Sequence, residues 1–391
     1  MGSAGLQGIS DPAEDGAMLR LIAAAAADAA RDSFHGDYAL ARRLGRGAFG
    51  AVYGATRRVA GRQRSDVAVK VLSSNPAGRS SRGRRLDSKK KHLALHEAAV
   101  LRALPASDNI VQFHGVYAEG PFTYIVMELC ATGLLSYLQM STPTEETMRE
   151  VFKDMAGGIA VCHAANIAHR DVKPDNFLVA LGPQGAPAGA KVKLCDFGLA
   201  RVVSSPEAKE LAGVVGTPPF MSPEMLSGED YSAKVDVWAL GALAYALLFG
   251  SWPYASSEDS GAAMKAAIAS GAQAPSFQCR AGLPDLSPPC REWVRALLDR
   301  DEDARPSAKA ALAHPALSTP WASSATEVSL SRCISEALRL GAFDLGDTYE
   351  KTTEMDRMLQ AMNTDHRLRG LRKHKHMSIS RSMRRATLMC I

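Results

Sequence analysis

The sequence predicts an α+β fold, and three features support that prediction. Residues 51–55 and 67–70 are short strand-like runs, and the side chains of the second run alternate in character. Residues 93–104 form a helical stretch. The chain has 391 residues, of which 46% are hydrophobic, so it can bury a large core. We therefore expect one large folded unit with extensions at its ends.

Charge and cysteine content narrow the class of protein. The net charge of +5 is concentrated at 79–91 and in the final segment, which favours local docking over general nucleic-acid binding. The seven cysteines lack C-x-x-C spacing, so neither a zinc site nor a disulfide framework is predicted. No apolar run is long enough to cross a membrane. We expect a cytoplasmic protein without membrane or nucleic-acid partners. For 79–91, a solvated insertion is favoured over a nuclear-import signal or a site for an acidic partner.

The most specific feature is a pair of motifs, His-Arg-Asp-Val-Lys-Pro-Asp-Asn at 169–176 and an Asp-Phe-Gly that begins at Asp196. Phosphoryl transfer needs a base and a cation beside the acceptor. Asp171 can serve as the base, and Lys173 can supply the positive charge. Asn176 and Asp196 offer the hard oxygen ligands that Mg²⁺ prefers. Either motif alone would fit a solvated turn, but their ordered occurrence favours catalysis.

A glycine-rich loop, Leu-Gly-Arg-Gly-Ala-Phe-Gly-Ala-Val at 44–52, precedes these motifs. Its missing side chains let backbone N–H groups approach phosphates. The strand at 67–70 then places Lys70 beside the α- and β-phosphates of a nucleotide. A dinucleotide-binding loop would instead open a helix. Here a second strand, 51–55, follows the loop.

With these motifs the sequence resembles the eukaryotic-type protein kinases over residues 38–317. The resemblance implies the two-lobed protein kinase fold, with a small β-rich lobe at about 37–130, a large helical lobe at 131–317, and ATP between them. Residues 1–36 would form an Ala-rich N-terminal extension, and residues 318–391 a basic C-terminal tail.

The resemblance also implies an ATP site, position by position. Glu97 would hold Lys70 as its ion-pair partner, Met127 would be the gatekeeper, and the backbone from Glu128 to Cys130 would bind the adenine. The residues implied to bind the cofactor are Leu44, Gly45, Gly47, Gly50, Val52, Ala68, Lys70, Glu97, Met127, Glu128, Cys130, Leu178 and Asp196.

The same resemblance implies a supporting frame around the site. Asp236 would brace the catalytic loop, and Glu224 would pair with Arg305. An apolar stack that aligns the two lobes would contain Leu101, Phe113, His169 and Phe197.

The acceptor is expected to be a serine or threonine hydroxyl of a protein. Lys173 lies two positions after Asp171, and Thr217 precedes Ser-Pro-Glu at 222–224, which resembles the Ser/Thr kinases, in which that Lys and Thr bracket the aspartate. Tyrosine kinases differ at both places. A small-molecule acceptor is the alternative, and the resemblance of the region around Thr217 to a peptide-docking surface argues against it.

The loop at 180–190 and the tail resemble the calcium/calmodulin-regulated and calcium-dependent protein kinases. Residues 367–385 contain eight Lys or Arg and no acidic residue, with apolar residues interspersed. Basic amphipathic segments are recurrent calmodulin targets, so 367–390 is expected to bind a calmodulin-like calcium sensor. The resemblance also implies that this segment is autoinhibitory. A solvated basic tail is the alternative. No calcium-binding loop follows, so the sensor would be a separate protein or a domain missing from this sequence.

Three positions depart from the related kinases. Leu134 and Ala246 stand where basophilic relatives carry acidic residues, and only Asp175 keeps a substrate-facing carboxylate, so we expect a weak preference for arginine in substrates. Gly213 stands where many kinases have a phosphorylatable threonine, so a phosphate at that point cannot order the segment through Arg170.

A pseudokinase that binds nucleotide without transfer is the competing class. Each catalytic position that can be checked holds a competent residue. The sequence is therefore interpreted as an ATP- and Mg²⁺-dependent protein Ser/Thr kinase with a role in signalling.

Overall fold

The structure is a computed structural model in which the chain forms two compact units. The sheet unit contains the described residues of 26–94 and 114–129, and the helical unit contains those of 16–25, 95–113 and 130–336. For residue 46 and residues 81–89 only the backbone is described. The described residues are 16–30, 33–46, 50–58, 66–73, 81–140, 143–182, 185–186, 188–254, 260–278, 286–319 and 333–336.

An antiparallel sheet of five strands, in the order β1-β2-β3-β5-β4, forms the sheet unit. A short helix, α2 (Phe34–Asp37), precedes the first strand, and Phe34 stacks on Tyr124 with ring centroids 4.1 Å apart. The strands are β1 (Tyr38–Arg46), β2 (Ala51–Arg57), β3 (Asp66–Ser73), β4 (Phe113–Glu119) and β5 (Phe122–Glu128).

The period of two in β3 separates the two faces of this sheet. Val67, Val69 and Val71 enter the core with the aromatic residues of β5 and α2. Because successive side chains of a strand point to opposite faces, Ala68 and Lys70 lie on the face away from that core. The strands predicted at 51–55 and 67–70 are therefore present, and both extend beyond the predicted bounds.

Two helices link the units along the chain. They are α1 (Gly16–Ala29) and α3 (Ser81–Ala103). The helix predicted at 93–104 is present, but it begins at Ser81, within the basic stretch interpreted as a solvated insertion. Lys, Arg and Leu are good helix formers, so this stretch can extend the helix.

The helical unit is built around α5 (Glu145–Ala164) and α7 (Val235–Phe249), and every residue of α7 is buried. Five small strands frame its loops: β6 (Thr132–Gly133), β7 (Ile167–Ala168), β8 (Phe177–Ala180), β9 (Lys191–Leu194) and β10 (Arg201–Val202). The other helices are α4 (Leu134–Met140), α6 (Pro223–Ser227), α8 (Gly261–Ser270), α9 (Pro288–Leu297) and α10 (Ala308–Leu312), with 3-10 turns at Pro174–Asn176, Pro218–Phe220 and Pro315–Leu317.

The predicted α+β class is confirmed by this combination of sheet and helices. Of the predicted tail, 318–319 and 333–336 are described, and Cys333 and Ile334 are buried. The segment 367–390 lies outside the described residues. Among the helices that are described, none combines the length and apolar composition needed to cross a bilayer.

Candidate active site

Short strands bring the two catalytic motifs together in the helical unit. The loop 169–176 connects β7 to β8, and β8 pairs with β9, after which Asp196 follows. The backbone N–H of Cys195 donates to the carbonyl oxygen of Asn176 at 2.9 Å. Two adjacent strands thus deliver the loop and the Asp-Phe-Gly segment to the same edge.

Two non-glycine residues of this site have left-handed backbone conformations: φ is 65° at Arg170 and 60° at Asp196. Such conformations are uncommon for residues with a side chain and need support from their surroundings. For Arg170, that support comes from Asp236.

Asp236 is 1% exposed and holds the catalytic loop through its two carboxylate oxygens. Oδ2 accepts the backbone N–H of His169 and Oδ1 that of Arg170, each at 2.8 Å, and Nε2 of His163 donates to Oδ2 at 3.0 Å. Burial alone would raise the pKa of Asp236, but the hydrogen bond from His163 and the charges of His163 and His169 outweigh it, so the pKa lies below its usual range. The predicted bracing contact is present.

Asp171 lies among three side chains that fix its carboxylate. Nζ of Lys173 is 2.8 Å from Oδ2, and the Thr217 hydroxyl donates to Oδ1 at 3.1 Å. Nδ2 of Asn176 donates to the backbone oxygen of Asp171 at 2.7 Å and to Oδ2 at 3.1 Å. The four predicted catalytic residues are therefore assembled around one carboxylate.

Lys173 is a strongly held cation in this group. Its Nζ also donates to Oγ1 of Thr217 at 3.1 Å. Burial lowers the pKa of Lys173, but Asp171 and then Asp175 and Asp196 raise it, and the net direction is upward. Lys173 therefore stays protonated at neutral pH and can neutralise charge beside Asp171.

The donor set of this group suits a magnesium ion. Nδ2 of Asn176 donates to Asp171, so the amide oxygen of Asn176 is the atom that could bind a cation. The charge of Asp196 helps to raise the pKa of Lys173. Carboxylate and amide oxygens are the ligands that Mg²⁺ prefers. The donor types of Asn176 and Asp196 therefore fit that ion, and the backbone bond between Cys195 and Asn176 brings the two chain segments together.

The Asp-Phe-Gly segment contacts both the catalytic loop and α3. The rings of His169 and Phe197 meet edge to face with centroids 5.0 Å apart. Oε2 of Glu97 lies 3.9 Å from the position that a Cβ on Gly198 would occupy. Glu97 is thus turned toward the motif.

Two further members of the predicted apolar stack are shielded from solvent to different degrees: Leu101 is buried and Phe113 is half-buried.

The segment that follows is held against the loop by Arg170. The guanidinium donates from Nε to the Leu199 carbonyl oxygen at 3.0 Å, and from Nη1 to that of Ala212 and to the Tyr231 hydroxyl, both at 3.4 Å. The Tyr231 hydroxyl donates to the carbonyl oxygen of Gly213 at 2.8 Å. Arg170 is therefore already bonded to this segment.

Gly216 allows the close approach that places Thr217. Its φ is 97°, and a Cβ there would lie 2.8 Å from the backbone oxygen of Arg170. A side chain at this position would push the segment away from the loop. The glycine therefore serves the hydrogen bond between Thr217 and Asp171.

The predicted pairing of Glu224 with Arg305 is also confirmed. Nη1 and Nη2 of Arg305 donate to the two carboxylate oxygens at 2.7 and 3.1 Å. Arg305 is 1% exposed, so this is a buried bidentate pair. It ties α6 to the loop before α10.

The sheet unit carries four of the residues predicted for the cofactor on one face. In the strand register Val52 lies opposite Lys70, and Ala68 opposite Met127. The alternate residues of these strands fill the aromatic core, so all four point the other way. Lys70 is 6% exposed and Met127 8%.

The remaining predicted cofactor residues are divided between the units. Gly45 pairs with Val52, and a Cβ on Gly50 would collide with the backbone oxygen of Val71. Gly47 lies outside the described residues. Leu44 lies in β1, Glu128 ends β5, and the helical unit holds Glu97, Cys130, Leu178 in β8, and Asp196.

Sequence reasoning missed two residues that act on the catalytic loop. His163 bonds the bracing Asp236, and the Tyr231 hydroxyl joins Arg170 to Gly213. His163 comes before the motif and Tyr231 far after it, and neither spacing signals the contact. Only the fold brings them to the loop.

Comparison with known proteins agrees with this arrangement. Residues 38–317 match a family model described as Protein kinase domain. The chain is 33% identical over 283 residues to Serine/threonine-protein kinase PEPKR2 of Arabidopsis thaliana, covering 71% of this chain and 53% of that protein. It is 32% identical over 303 residues to Calcium/calmodulin-dependent serine/threonine-protein kinase 1 of Oryza sativa subsp. japonica, covering 76% and 46%.

A third relative is CDPK-related kinase 7 of Arabidopsis thaliana, which is 33% identical over 288 residues, covering 72% of this chain and 46% of that protein. The chain thus spans about half the length of these relatives. The family model matches well over half of the chain and includes every residue that surrounds Asp171. The chain therefore belongs to the protein kinase family.

Proposed function

We propose that this protein transfers the γ-phosphoryl group of ATP to serine or threonine hydroxyls of protein substrates. The observation that carries the proposal is the carboxylate of Asp171, which Lys173, Asn176 and Thr217 hold at the same time. The names of the relatives, each a kinase and two of them serine/threonine kinases, support it.

In this mechanism Asp171 orients and deprotonates the acceptor. The hydroxyl donates a hydrogen bond to the carboxylate, its oxygen forms the new bond to phosphorus, and the bond to the leaving ADP oxygen breaks. The proton passes to Asp171. Positioning and charge neutralisation supply most of the acceleration in phosphoryl transfer, so a fixed carboxylate is the feature to expect.

Lys173 and Thr217 have supporting roles. The ammonium group, whose pKa is raised, neutralises negative charge on the transferring phosphoryl oxygens. The Thr217 hydroxyl bonds both Lys173 and Asp171, and so connects the peptide-docking segment to the base. A bound peptide would therefore lie next to the reacting oxygen.

Asn176 and Asp196 would hold Mg²⁺, which supplies neutralising charge to the phosphates of ATP when it is bound. The face of the sheet unit with Val52, Ala68, Lys70 and Met127 would receive the nucleotide. Lys70 would contact its phosphates, and the pairing of Lys70 with Glu97 stays a prediction.

Calcium-linked control is a finer part of the proposal. A relative is named as calcium/calmodulin-dependent, and residues 367–385 have the composition of a calmodulin target. We propose that this segment restrains the kinase until a calcium sensor binds it, so that the protein acts in signalling.

The test is transfer of γ-phosphate from Mg-ATP to three degenerate peptide sets that differ only in carrying Ser, Thr or Tyr as acceptor. The full chain should label the Ser and Thr sets and leave the Tyr set unlabelled, and Asp196→Ala should abolish labelling. Labelling of the Tyr set alone would overturn the acceptor assignment.

The same assay tests the tail. A chain that ends at Leu317 should label the peptides faster than the full chain, and calcium-loaded calmodulin should raise the rate of the full chain. Equal rates under all three conditions would reject the autoinhibitory role and leave the kinase assignment standing.

A further inference from the structure

The N-terminal helix α1 has one buried face. Met18, Ile22, Ala25 and Ala29 are 3%, 7%, 0% and 2% exposed, and their spacing of four, three and four residues places them along one side of a helix. We call these four residues the α1 docking face. Leu19, which lies outside this face, is 51% exposed. A helix that buries one side so completely is packed against the protein.

One contact of α1 is with the last turn of α3. Nη1 of Arg102 donates to the carbonyl oxygen of Ala24 at 3.5 Å. Ala24 and the C-terminal part of α3 belong to the same compact unit. Alanine dominates α1 from residue 23 onward, and small side chains let a helix backbone come close to its neighbour.

About one and a half turns earlier, α3 contacts the residues around Asp-Phe-Gly. Nη1 of Arg201 donates to Nε2 of His96 at 3.3 Å, and Oε2 of Glu97 lies beside Gly198. His96 and Glu97 are both 2% exposed. One stretch of α3 therefore contacts α1 through Arg102, and it contacts the residues around Asp-Phe-Gly through His96 and Glu97.

We propose that α1 is a positioning element that holds α3 in the arrangement in which Glu97 faces Gly198. A docked α1 favours this position of α3 over others, and loss of docking lowers the population of the competent state. In the proposed function Glu97 would hold Lys70, so the effect on activity rests on that proposal. Arg102 is a positioning residue in this scheme, since it reaches α1 and not the reacting atoms.

The main test compares two substitutions in the full chain that differ only in the side of α1 they alter. Ile22→Asp places a carboxylate on the α1 docking face, and Leu19→Asp places the same group on the exposed side. Burying an unpaired carboxylate is costly, so we expect Ile22→Asp to lower kcat/KM for ATP by about tenfold or more. Leu19→Asp should stay within about twofold of wild type, since it changes only exposed surface.

Hydrogen exchange separates positioning from general destabilisation. In Ile22→Asp the amides of 95–103 and of 198–203 should exchange faster, and those of α7 should keep the wild-type rate. Equal acceleration throughout the helical unit would mean that α1 is only part of the general fold, and unchanged exchange at 95–103 would overturn the proposal.

Arg102 supplies a second test that does not disturb the core, because its side chain is exposed. Arg102→Ala should raise KM for ATP and speed exchange at 95–103, and Arg102→Lys should restore part of both. If Arg102→Ala matches wild type in both readouts while Ile22→Asp does not, the positioning role of Arg102 is rejected and only the docking of the apolar face is supported.

Exchange does not depend on phosphoryl transfer, so the two proposals can fail separately. If wild type transfers no phosphate, the proposed function is wrong, and the comparison of Ile22→Asp with Leu19→Asp by exchange still decides whether α1 positions α3. If wild type transfers phosphate and both variants match it, the kinase assignment stands and the role of α1 is rejected.

Discussion

The Thr217 hydroxyl donates a hydrogen bond to Oδ1 of Asp171 at 3.1 Å. This contact joins two segments that are far apart in sequence: the catalytic loop and the segment that would dock a peptide. Gly216 brings the backbone close to the loop just before Thr217, so the local backbone conformation determines this contact.

Removing that hydroxyl should impair catalysis without unfolding the protein. Thr217→Ala loses the bonds to Asp171 and Lys173, and we expect kcat to fall by about 10- to 100-fold because the base is less well positioned. Thr217→Ser keeps the hydroxyl and should retain most of the activity. Steady-state kinetics with a peptide acceptor gives the comparison; equal rates for the Ala and Ser variants would argue that the hydroxyl has no role.

Asp236 should make stability dependent on acid. Its pKa is lower in the folded protein than the ordinary value of about 3.9, so its contribution is present above that pH and is lost as the pH falls through the folded pKa. Wild type should therefore lose free energy of unfolding below about pH 4. Asp236→Asn should be less stable at pH 7 and lose less on acidification, as measured by denaturant titrations at several pH values.

The exposed Asp230→Asn is the matched control for that series, because it removes one carboxylate from the same region without a buried contact. It should follow the wild-type curve. An Asp236→Asn curve parallel to that of wild type would mean that another group is responsible for the acid dependence.

Replacing tyrosine with phenylalanine should affect stability differently at two buried positions. The Tyr231 hydroxyl links Arg170 to Gly213, so Tyr231→Phe leaves buried partners unsatisfied and should lower the free energy of unfolding by about 1–3 kcal/mol. The buried Tyr124 hydroxyl has no hydrogen-bond partner among the described residues, so Tyr124→Phe should be neutral or stabilising. Thermal unfolding of both variants tests this, and a similar loss in each would contradict it.

The buried pair of Glu224 and Arg305 should be costly to break from one side. Glu224→Ala leaves the guanidinium of Arg305 without its carboxylate, and we expect a loss of about 3–5 kcal/mol of unfolding free energy. The double variant Glu224→Leu with Arg305→Met removes both charges and should recover part of that loss. A double variant less stable than Glu224→Ala would show that the pair is needed for more than mutual neutralisation.

Activity should not require a phosphate in the segment that Arg170 holds. Its guanidinium already bonds Leu199, Ala212 and Tyr231, and Gly213 offers no hydroxyl to modify. Phosphatase treatment of the purified protein should therefore leave the transfer rate unchanged. A rate that collapses on treatment and returns on rephosphorylation would locate a control site that this account lacks.

The chemical groups of the site could be predicted from sequence because they lie in short motifs with fixed spacing. Asp171, Lys173 and Asn176 occupy one loop, and Asp196 follows β9, which pairs directly with β8, the strand that comes after that loop. Local patterning also predicted β2 and β3, since their alternation reflects the two faces of one sheet.

The residues that support the site could not be predicted in the same way. His163 and Tyr231 reach the catalytic loop from distant positions, and nothing in their local sequence indicates a polar partner. The early start of α3 was missed because its charged residues were interpreted as solvated. The α1 docking face was missed because an Ala-rich helix looks alike whether it is packed or free.

The central claim is that Asp171 is the base for transfer from ATP, and single-turnover transfer to a Ser peptide tests it most directly. Asp171→Asn keeps the shape of the side chain and should lower the rate by about 100-fold or more while ATP binding, measured separately, is unchanged. The exposed Asp230→Asn should behave as wild type in both measurements. A rate for Asp171→Asn equal to that of Asp230→Asn would contradict the account, as would the absence of transfer by the wild-type protein while it binds ATP.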